Sequence, residues 1–206
     1  MGVVRLGTYR IEWTTGPFGM RLRLIFLLTL WSALARPSSA QTWHSMGPPG
    51  GDVRATASDP EHTNRIYIGT PDGHVFGSQD SGETWRLLGR VSPRTDSVVA
   101  TILVDLHRSQ TLFAGSWTRD PSLGAGGGIF RSDDGGITWR ASGLPGQVVR
   151  TLVQAPSNPD LLVAGTMEGI FESSDLGASW HRISPESNGE LRNIDSLAVD
   201  PRHPEI

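Results

Sequence analysis

Three short clusters hold the residues of this chain whose types and spacing could do chemistry. They span residues 78–85, 132–139 and 173–180 and share the pattern Ser-x-Asp-x-Gly-x-Thr/Ser-Trp. Regularly placed aspartates near glycine can bind calcium. Short acidic side chains can also accept backbone N–H groups within a turn, where glycine permits positive φ. Each cluster has one recurring carboxylate, because Gln79, Asp133 and Ser174 do not repeat as ligands. The pattern therefore favours fastened turns, and no metal site is predicted.

The recurring residues of these clusters are predicted to be structural. The aspartate is expected to accept backbone N–H bonds, and the following hydroxyl adds a bond to the same turn. The tryptophan is expected to fold back between neighbouring hairpins, where burying its ring stabilises the fold by about 4–6 kcal/mol at most. The predicted set is Ser78, Asp80, Gly82, Thr84, Trp85, Ser132, Asp134, Gly136, Thr138, Trp139, Ser173, Asp175, Gly177, Ser179 and Trp180.

The inventory for catalysis outside these clusters is small. The chain has 0 cysteines, which excludes thiolate nucleophiles, disulfides and cysteine-based metal centres. It has no glycine-rich phosphate loop, no Gly-x-Ser-x-Gly elbow and no His-Glu-x-x-His sequence. The net charge is -3, and no basic patch is interleaved with aromatic residues. No catalytic residue, cofactor or nucleic-acid partner is therefore predicted.

The segments around the clusters are those that must position them, and they are typical of β-strands. Apolar runs ending in Gly-Thr or Gly-Ser precede each cluster at 66–70, 112–116 and 162–166, followed by apolar pairs at 75–76, 129–130 and 170–171. Runs rich in β-branched residues come earlier still, at 53–57, 98–104, 148–153 and 194–199. With a strand opened by each cluster tryptophan, every unit contains four strands, A to D, as a propeller blade does.

The repeat predicts an all-β fold, a β-propeller of four-stranded antiparallel blades. The predicted blades span about 53–88, 98–142 and 148–183, and a further blade starts at 194–206. Trp43 is expected to open an orphan strand D, and 194–199 a terminal strand A. Propellers typically need four to eight blades to close. We therefore expect this incomplete propeller to be a fragment of a longer protein or to associate with further copies.

Over residues 43–206 the chain resembles the Asp-box, or bacterial neuraminidase, repeat. The long unit, with Asp-Pro after strand A and Gly-Thr ending strand B, looks most like the branch that includes sortilin and the photosystem II assembly factors. That resemblance implies a non-catalytic propeller that binds a protein, peptide or glycan. The alternative it implies is a glycoside hydrolase of xyloglucanase or sialidase type. The sialidase form needs a tyrosine nucleophile, and Tyr67 lies in a predicted core strand.

The loops of one propeller face are the predicted location of binding. Strand direction alternates within a blade, so the loops joining B to C and D to A share the face opposite the turns. The second unit carries an insertion at 117–128 there, and long loops of this kind often bind ligands, although a surface insertion without a role is the alternative. A hydrolase would use carboxylates of this face as acid or base. The candidate residues are Asp72, Arg94, Asp96, Trp117, Arg119, Asp120 and Glu168.

Residues 20–40 have the layout of a secretory signal peptide. A short positive region at 20–23 precedes an apolar run at 24–35 and a small-residue stretch at 36–40. Because that run is shorter than the roughly 20 residues that cross a bilayer, we expect cleavage after Ala40, with Ala35 as the second choice, rather than a membrane anchor. Translation is expected to begin at Met20, so residues 1–19 are predicted to be untranslated or disordered. The mature protein is then secreted or periplasmic, without a membrane partner.

Overall fold

The computed structural model of the protein describes residues 2–6, 9–13, 47–48, 51–123, 126–187 and 189–200. The chain forms two compact units, Met1–His44 and Ser45–Ile206. In the first unit, strands β1 (Gly2–Leu6) and β2 (Tyr9–Trp13) pair as an antiparallel hairpin. The predicted signal peptide at 20–40 and the predicted strand at Trp43 lie outside the described residues. Both stay predictions, as does the assignment of residues 1–19 to a segment before the start of translation.

Within its described residues, the second unit contains three antiparallel four-stranded sheets, each built from strands A to D in chain order. The first sheet has β3 (Ala55–Ser58), β4 (Ile66–Gly69), β5 (His74–Ser78) and β6 (Arg86–Arg90). The second has β7 (Ser97–Asp105), β8 (Arg108–Thr118), β9 (Gly127–Ser132) and β10 (Arg140–Gly143). The third has β11 (Val149–Ala155), β12 (Asn158–Thr166), β13 (Ile170–Ser173) and β14 (His181–Arg182). These sheets confirm the predicted all-β blades.

A short 3-10 turn at Pro121–Leu123 lies in the loop between β8 and β9, and a second at Gly189–Leu191 follows β14. Among the residues that the structure describes, no helix has the length and apolar character needed to cross a membrane.

Glycines at the end of strand B let successive blades pack closely. A Cβ on Gly69 would lie 2.4 Å from Val99 Cγ1, and one on Gly115 would lie 2.7 Å from Val149 Cγ1. Val99 and Val149 belong to strand A of the following blade and are fully buried. Any larger residue would therefore separate two neighbouring sheets, which explains why the apolar run of strand B ends in glycine.

The hydrophobic core lies between the blades. One buried cluster joins Tyr67 and Val75 of the first blade to Leu112 of the second. A second cluster joins Phe113 of the second blade to Leu162 of the third. Trp139 packs against the first cluster and Trp180 against the second, so each indole covers the junction with the preceding blade. Blade contacts of this kind make the unit quasi-one-dimensional, with each sheet stabilised by its neighbours.

The predicted terminal strand A at 194–199 is not a strand. Its first residue does bind the third blade, because Ile194 N donates to Thr166 O at 3.0 Å and Asn193 N donates to Met167 O at 3.0 Å. In each complete sheet strand A pairs with strand B of its own blade. No such strand lies beside 194–200 within the described residues, and the backbone there has no ladder to join.

Candidate functional site

The three clusters form the turns between strands C and D, with one shared hydrogen-bond pattern. In the third turn, Ser173 Oγ donates to Asp175 Oδ1 at 2.8 Å and accepts Gly177 N at 2.8 Å. Asp175 in turn accepts Ser179 N at 2.8 Å and Ser179 Oγ at 2.6 Å. The same bonds recur at Ser78, Asp80, Gly82 and Thr84 and at Ser132, Asp134, Gly136 and Thr138. Both carboxylate oxygens of each aspartate therefore accept hydrogen bonds from within the turn.

Each turn also rests on the A–B hairpin of its own blade. The residue after the aspartate has positive φ, which is 61° at Ser81, 72° at Gly135 and 54° at Leu176. This conformation turns its N–H outward, and Ser81 N donates to Asn64 O at 2.9 Å. Gly135 and Leu176 make the matching bonds of 2.9 Å to Gln110 O and Asp160 O. The turns and the A–B hairpins thus share one face of the unit, which we call the turn face.

The turn aspartates remain ionised at neutral pH. The hydroxyl of Thr84 and then its backbone N–H lower the pKa of Asp80 from 3.8 to about 2. The equivalent bonds from Ser179 lower the pKa of Asp175 to about 2. Burial of Asp134 raises its pKa, but bonds from Thr138, Ser132 and Ile137 outweigh it and hold the pKa below the ordinary value.

The cluster tryptophans differ in how their indole N–H groups are satisfied. Trp139 Nε1 donates to Gly136 O at 2.9 Å within its own turn. Trp180 Nε1 donates to Ser142 O of the preceding blade at 3.0 Å. Trp85 Nε1 is buried and has no acceptor among the described residues. Strand D begins one residue after each tryptophan, at Arg86, Arg140 and His181.

Buried carboxylates at the A–B corners join neighbouring blades. Asp59 is 1% exposed and accepts Ser109 Oγ of the second blade at 2.9 Å. Asp105 is fully buried and accepts Gln154 Nε2 of the third blade at 3.1 Å. Ser109 Oγ also lies 2.8 Å from Glu61 Oε2, and His62 Nδ1 lies 3.2 Å from Asp59. The hydroxyl is thus held between two carboxylates of the first blade, which makes this group a structural junction between the blades.

The opposite face, formed by the B–C and D–A loops, is here called the loop face. In the first blade, Asp72 accepts Thr70 Oγ1 at 2.5 Å, and its second oxygen lies 2.8 Å from His74 Nδ1. His74 Nε2 lies 3.1 Å from a guanidinium nitrogen of Arg90. Burial raises the pKa of Asp72, but the bonds from Thr70 and His74 outweigh this effect and leave that pKa lowered. Asp72 is therefore the anionic end of a connected polar chain.

Arg94 and Asp96 anchor the insertion of the second blade. The Arg94 guanidinium donates to both carboxylate oxygens of Asp96, at 3.0 and 2.8 Å, and to Leu123 O at 3.0 Å. Asp120 N donates to Asp96 Oδ2 at 3.4 Å. The hydrogen bonds from Arg94 lower the pKa of Asp96, while those to Asp96 raise the pKa of Arg94. The pair thus holds two loops together and is itself bidentate and satisfied.

The structure brings most of the candidate loop-face residues into one neighbourhood. Arg119 N donates to Asp96 O at 3.0 Å, and Asp120 accepts Ser122 N at 2.9 Å. Trp117 lies at the end of β8, in register with Val98 and Gly127. Glu168 stands apart on the third blade, where its backbone carbonyl accepts an Arg182 bond of 2.7 Å. No described contact therefore brings Glu168 to the other candidate residues of the loop face.

Sequence reasoning missed several residues of this face. His74 and Arg90 extend the chain that begins at Asp72, and they meet because β5 and β6 pair His74 with Arg90. Leu123 and Met167, on B–C loops, are 62% and 44% exposed. The signal available in the sequence was a large apolar residue within each predicted loop. Among the described residues, no group of three or more His, Asp or Glu side chains could hold a metal ion.

Comparison with known proteins places this fold among β-propellers. An ancestral GH74 enzyme matches with a TM-score of 0.55 and 25% identity, over 70% of this chain and 20% of that one. The GH74 enzyme of Niastella koreensis matches with a TM-score of 0.52 and 23% identity, over 65% and 22%. A structure of YCF48 bound to the D1 peptide matches with a TM-score of 0.52 and 16% identity, over 70% and 45%. The protein is therefore an all-β, incomplete β-propeller.

Curated relatives are similar at low identity, and no protein-family model matches the chain. A xyloglucanase of Paenibacillus sp is 28% identical over 182 residues, which are 75% of this chain and 17% of the relative. Xyloglucanase Xgh74A of Acetivibrio thermocellus is 25% identical over 195 residues, which are 71% of this chain and 21% of the relative. The chain spans about a fifth of the length of these relatives.

Proposed function

We propose that this chain is the non-catalytic part of a β-propeller that binds a peptide or glycan through its loop face. One observation carries the proposal: Asp72 and Asp96, two carboxylates of that face, are already engaged. Asp72 is bound by Thr70 and His74, and Asp96 is held at two points by Arg94. Their pKa values are lowered, whereas a general acid for glycoside cleavage needs a raised pKa.

Exposed groups suited to recognition surround these engaged carboxylates. Leu123 is 62% exposed at the tip of the insertion, and Arg119 is exposed beside it. Arg94 donates to Leu123 O, so the backbone that carries the apolar side chain is held in place at this residue. A pre-organised loop binds with a smaller loss of conformational entropy. The YCF48 structure with bound D1 peptide is in keeping with a peptide partner for this fold.

A glycoside hydrolase is the second candidate, favoured by the similarity to xyloglucanases. Among the candidate loop-face residues, Asp120 and Glu168 are exposed carboxylates available to it. Asp120 accepts Ser122 N at 2.9 Å through one oxygen, and no described contact brings Glu168 beside it. A hydrolase would then require a further carboxylate from another part of its protein.

The proposal also includes export. The signal-like sequence at 20–40 supports a secreted or periplasmic location for residues from Gln41 onward. Sequencing the N-terminus of the secreted protein tests it, and a product that retains residues before Gln41 would contradict the proposed cleavage.

Binding and hydrolysis can be separated with one substrate and one peptide collection. The protein is run in native gels with and without xyloglucan, incubated with xyloglucan for release of reducing ends, and applied to an array of random peptides. We expect retention in the gel or on the array without sugar release. Leu123→Asp should abolish that retention, whereas Leu87→Asp, at a leucine on strand D of the first blade that is 50% exposed, should leave it unchanged.

Each outcome of this experiment decides between the candidates. Sugar release that is lost in Asp120→Asn would replace the binding proposal with hydrolysis. Retention that both leucine variants keep would contradict the loop face as the binding surface. Absence of both retention and sugar release would contradict binding of either polymer by this chain.

A further inference from the structure

On the C–D hairpin of the second blade, two arginines share one aspartate as their acidic partner. Arg131, before the turn serine, donates to Asp133 Oδ1 at 2.7 Å and to Leu176 O of the next blade at 3.2 Å. Its guanidinium lies over the ring of Phe113, 5.5 Å from the centroid. Asp133 also accepts Arg140, the first residue after the tryptophan, at 2.9 Å. The arginine fills the junction between blades, and the aspartate balances two cations.

The third blade has its own version of this balance. Glu172 occupies the position of Arg131, and His181 occupies that of Arg140. His181 Nε2 lies 3.4 Å from Glu172 Oε1. Thus in both blades the basic residue that opens strand D has an acidic partner on the same hairpin.

The first blade lacks both the filling side chain and the acid. Gly77 stands where Arg131 stands, and Gln79 stands where Asp133 stands. Arg86, the counterpart of Arg140, is retained and exposed. In the part of the chain that the structure describes, its guanidinium has no hydrogen-bond or ion-pair partner. The Arg86 guanidinium therefore lies beside an empty place in the junction, where Gly77 and Gln79 replace the larger charged residues of the second blade.

That empty place is a cavity of about 390 Å³ between the first and second blades. Gly77, Gln79 and Arg86 line it, with Tyr67 and Leu88 as its apolar wall. Asp134 also lines it, and its two carboxylate oxygens already accept the hydroxyls of Ser132 and Thr138. The turn of the second blade adds Gly135, whose counterpart in the third blade, Leu176, is only 8% exposed and packs into the core. Two glycines at positions filled in the neighbouring junction therefore create the cavity.

We propose that this cavity is a binding site for a short aliphatic carboxylate. The ligand carboxylate takes the place of Asp133 opposite Arg86, and its aliphatic part lies against Tyr67 and Leu88. Such a group can come from a free acid or from a glutamate side chain of a peptide. The site lies on the turn face, so it is separate from the loop-face function proposed above and can fail or succeed independently.

Charge and source of the ligand are tested with four probes. Butyrate and butyramide represent the free acid and its neutral isostere, and acetyl-Gly-Glu-Gly-amide and its glutamine analogue represent the peptide. Binding to the full chain is followed by chemical-shift changes of the Gly77 and Gly135 amides in a titration. We expect an acid probe to bind at least about tenfold more tightly than its amide, because a charge-assisted hydrogen bond is lost. Which acid binds identifies the source.

Two variants locate the site. Arg86→Ala should weaken binding of the acid probe about tenfold, whereas Arg140→Ala, at the matching position of the second blade, should not change it. Gly77→Arg combined with Leu88→Ser rebuilds the junction of the second blade, since Arg131 and Ser142 stand at these positions. The serine is needed because a Cβ on Gly77 would lie 2.8 Å from Leu88 Cδ1. This double variant should fold and lose binding.

The proposal is overturned by any of three results. The first is that neither acid probe binds. The second is that the amides bind as well as the acids. The third is that Arg86→Ala binds an acid probe as tightly as the unmodified chain does. Arg86 is exposed, so its variant tests the site even if the double variant does not fold.

Discussion

At the scale of single residues, a buried serine hydroxyl holds each C–D turn. Ser173 is fully buried and accepts Gly177 N at 2.8 Å, while its neighbour Ser174 is exposed. Removing the Ser173 hydroxyl leaves a buried N–H without an acceptor, which costs about 1–3 kcal/mol. We therefore expect Ser173→Ala to lower the free energy of unfolding in urea by that amount. Ser174→Ala should change it by less than about 0.5 kcal/mol. Equal effects of the two variants would show that the hydroxyl does not fasten the turn.

The turn chemistry was predictable from the sequence because all its partners lie within seven positions of one another. Serine, aspartate and glycine at fixed spacing specify which oxygen can reach which N–H. The series of polar contacts from Asp72 through His74 to Arg90 was not predictable from the sequence, since it depends on the pairing of β5 with β6. Gln79 and Gly77 likewise acquire meaning only when their counterparts Asp133 and Arg131 are seen in contact.

At the scale of elements, the insertion of the second blade is held by two residues of another loop. Arg94 reaches Leu123 O and Asp96, and Asp96 accepts the backbone of Arg119 and Asp120. Arg94→Ala should release these contacts and raise amide hydrogen exchange at Arg119 and Asp120 at least about tenfold. Arg150→Ala, which removes an exposed pair with Asp195, serves as the control and should leave these amides unchanged. Unchanged exchange in Arg94→Ala would show that the insertion is ordered by its own sequence.

The sequence predicted the blades and the place of the insertion because strand runs and turn residues follow local patterns. It did not predict the 3-10 turn at Pro121–Leu123 or its attachment to Arg94, which lies 29 positions from Leu123. The prediction of a strand at 194–199 was wrong for a similar reason. An apolar β-branched run becomes a strand only beside a partner with free backbone groups.

At the scale of the whole molecule, stability depends on what each blade gives its neighbour. Strand-B glycines permit close approach, and buried Asp59 and Asp105 accept side chains from the following blade. The repeat itself predicted a propeller, because several similar four-stranded units must stack to bury their faces. The identity of the contacts between blades could not be predicted, since Ser109 and Gln154 occupy no recurring position.

The tryptophans offer a direct measure of coupling between blades, because one crosses to its neighbour and another does not. Trp180 Nε1 donates to Ser142 O of the second blade at 3.0 Å, whereas Trp85 Nε1 has no acceptor among the described residues. Phenylalanine at either position removes similar ring volume, but only Trp180→Phe also breaks a hydrogen bond between blades. We expect Trp180→Phe to lower the free energy of unfolding by about 1 kcal/mol more than Trp85→Phe does, measured by circular dichroism in urea. If Trp85→Phe costs as much, the indole N–H does not join the blades, and packing of the ring alone accounts for the role of these residues.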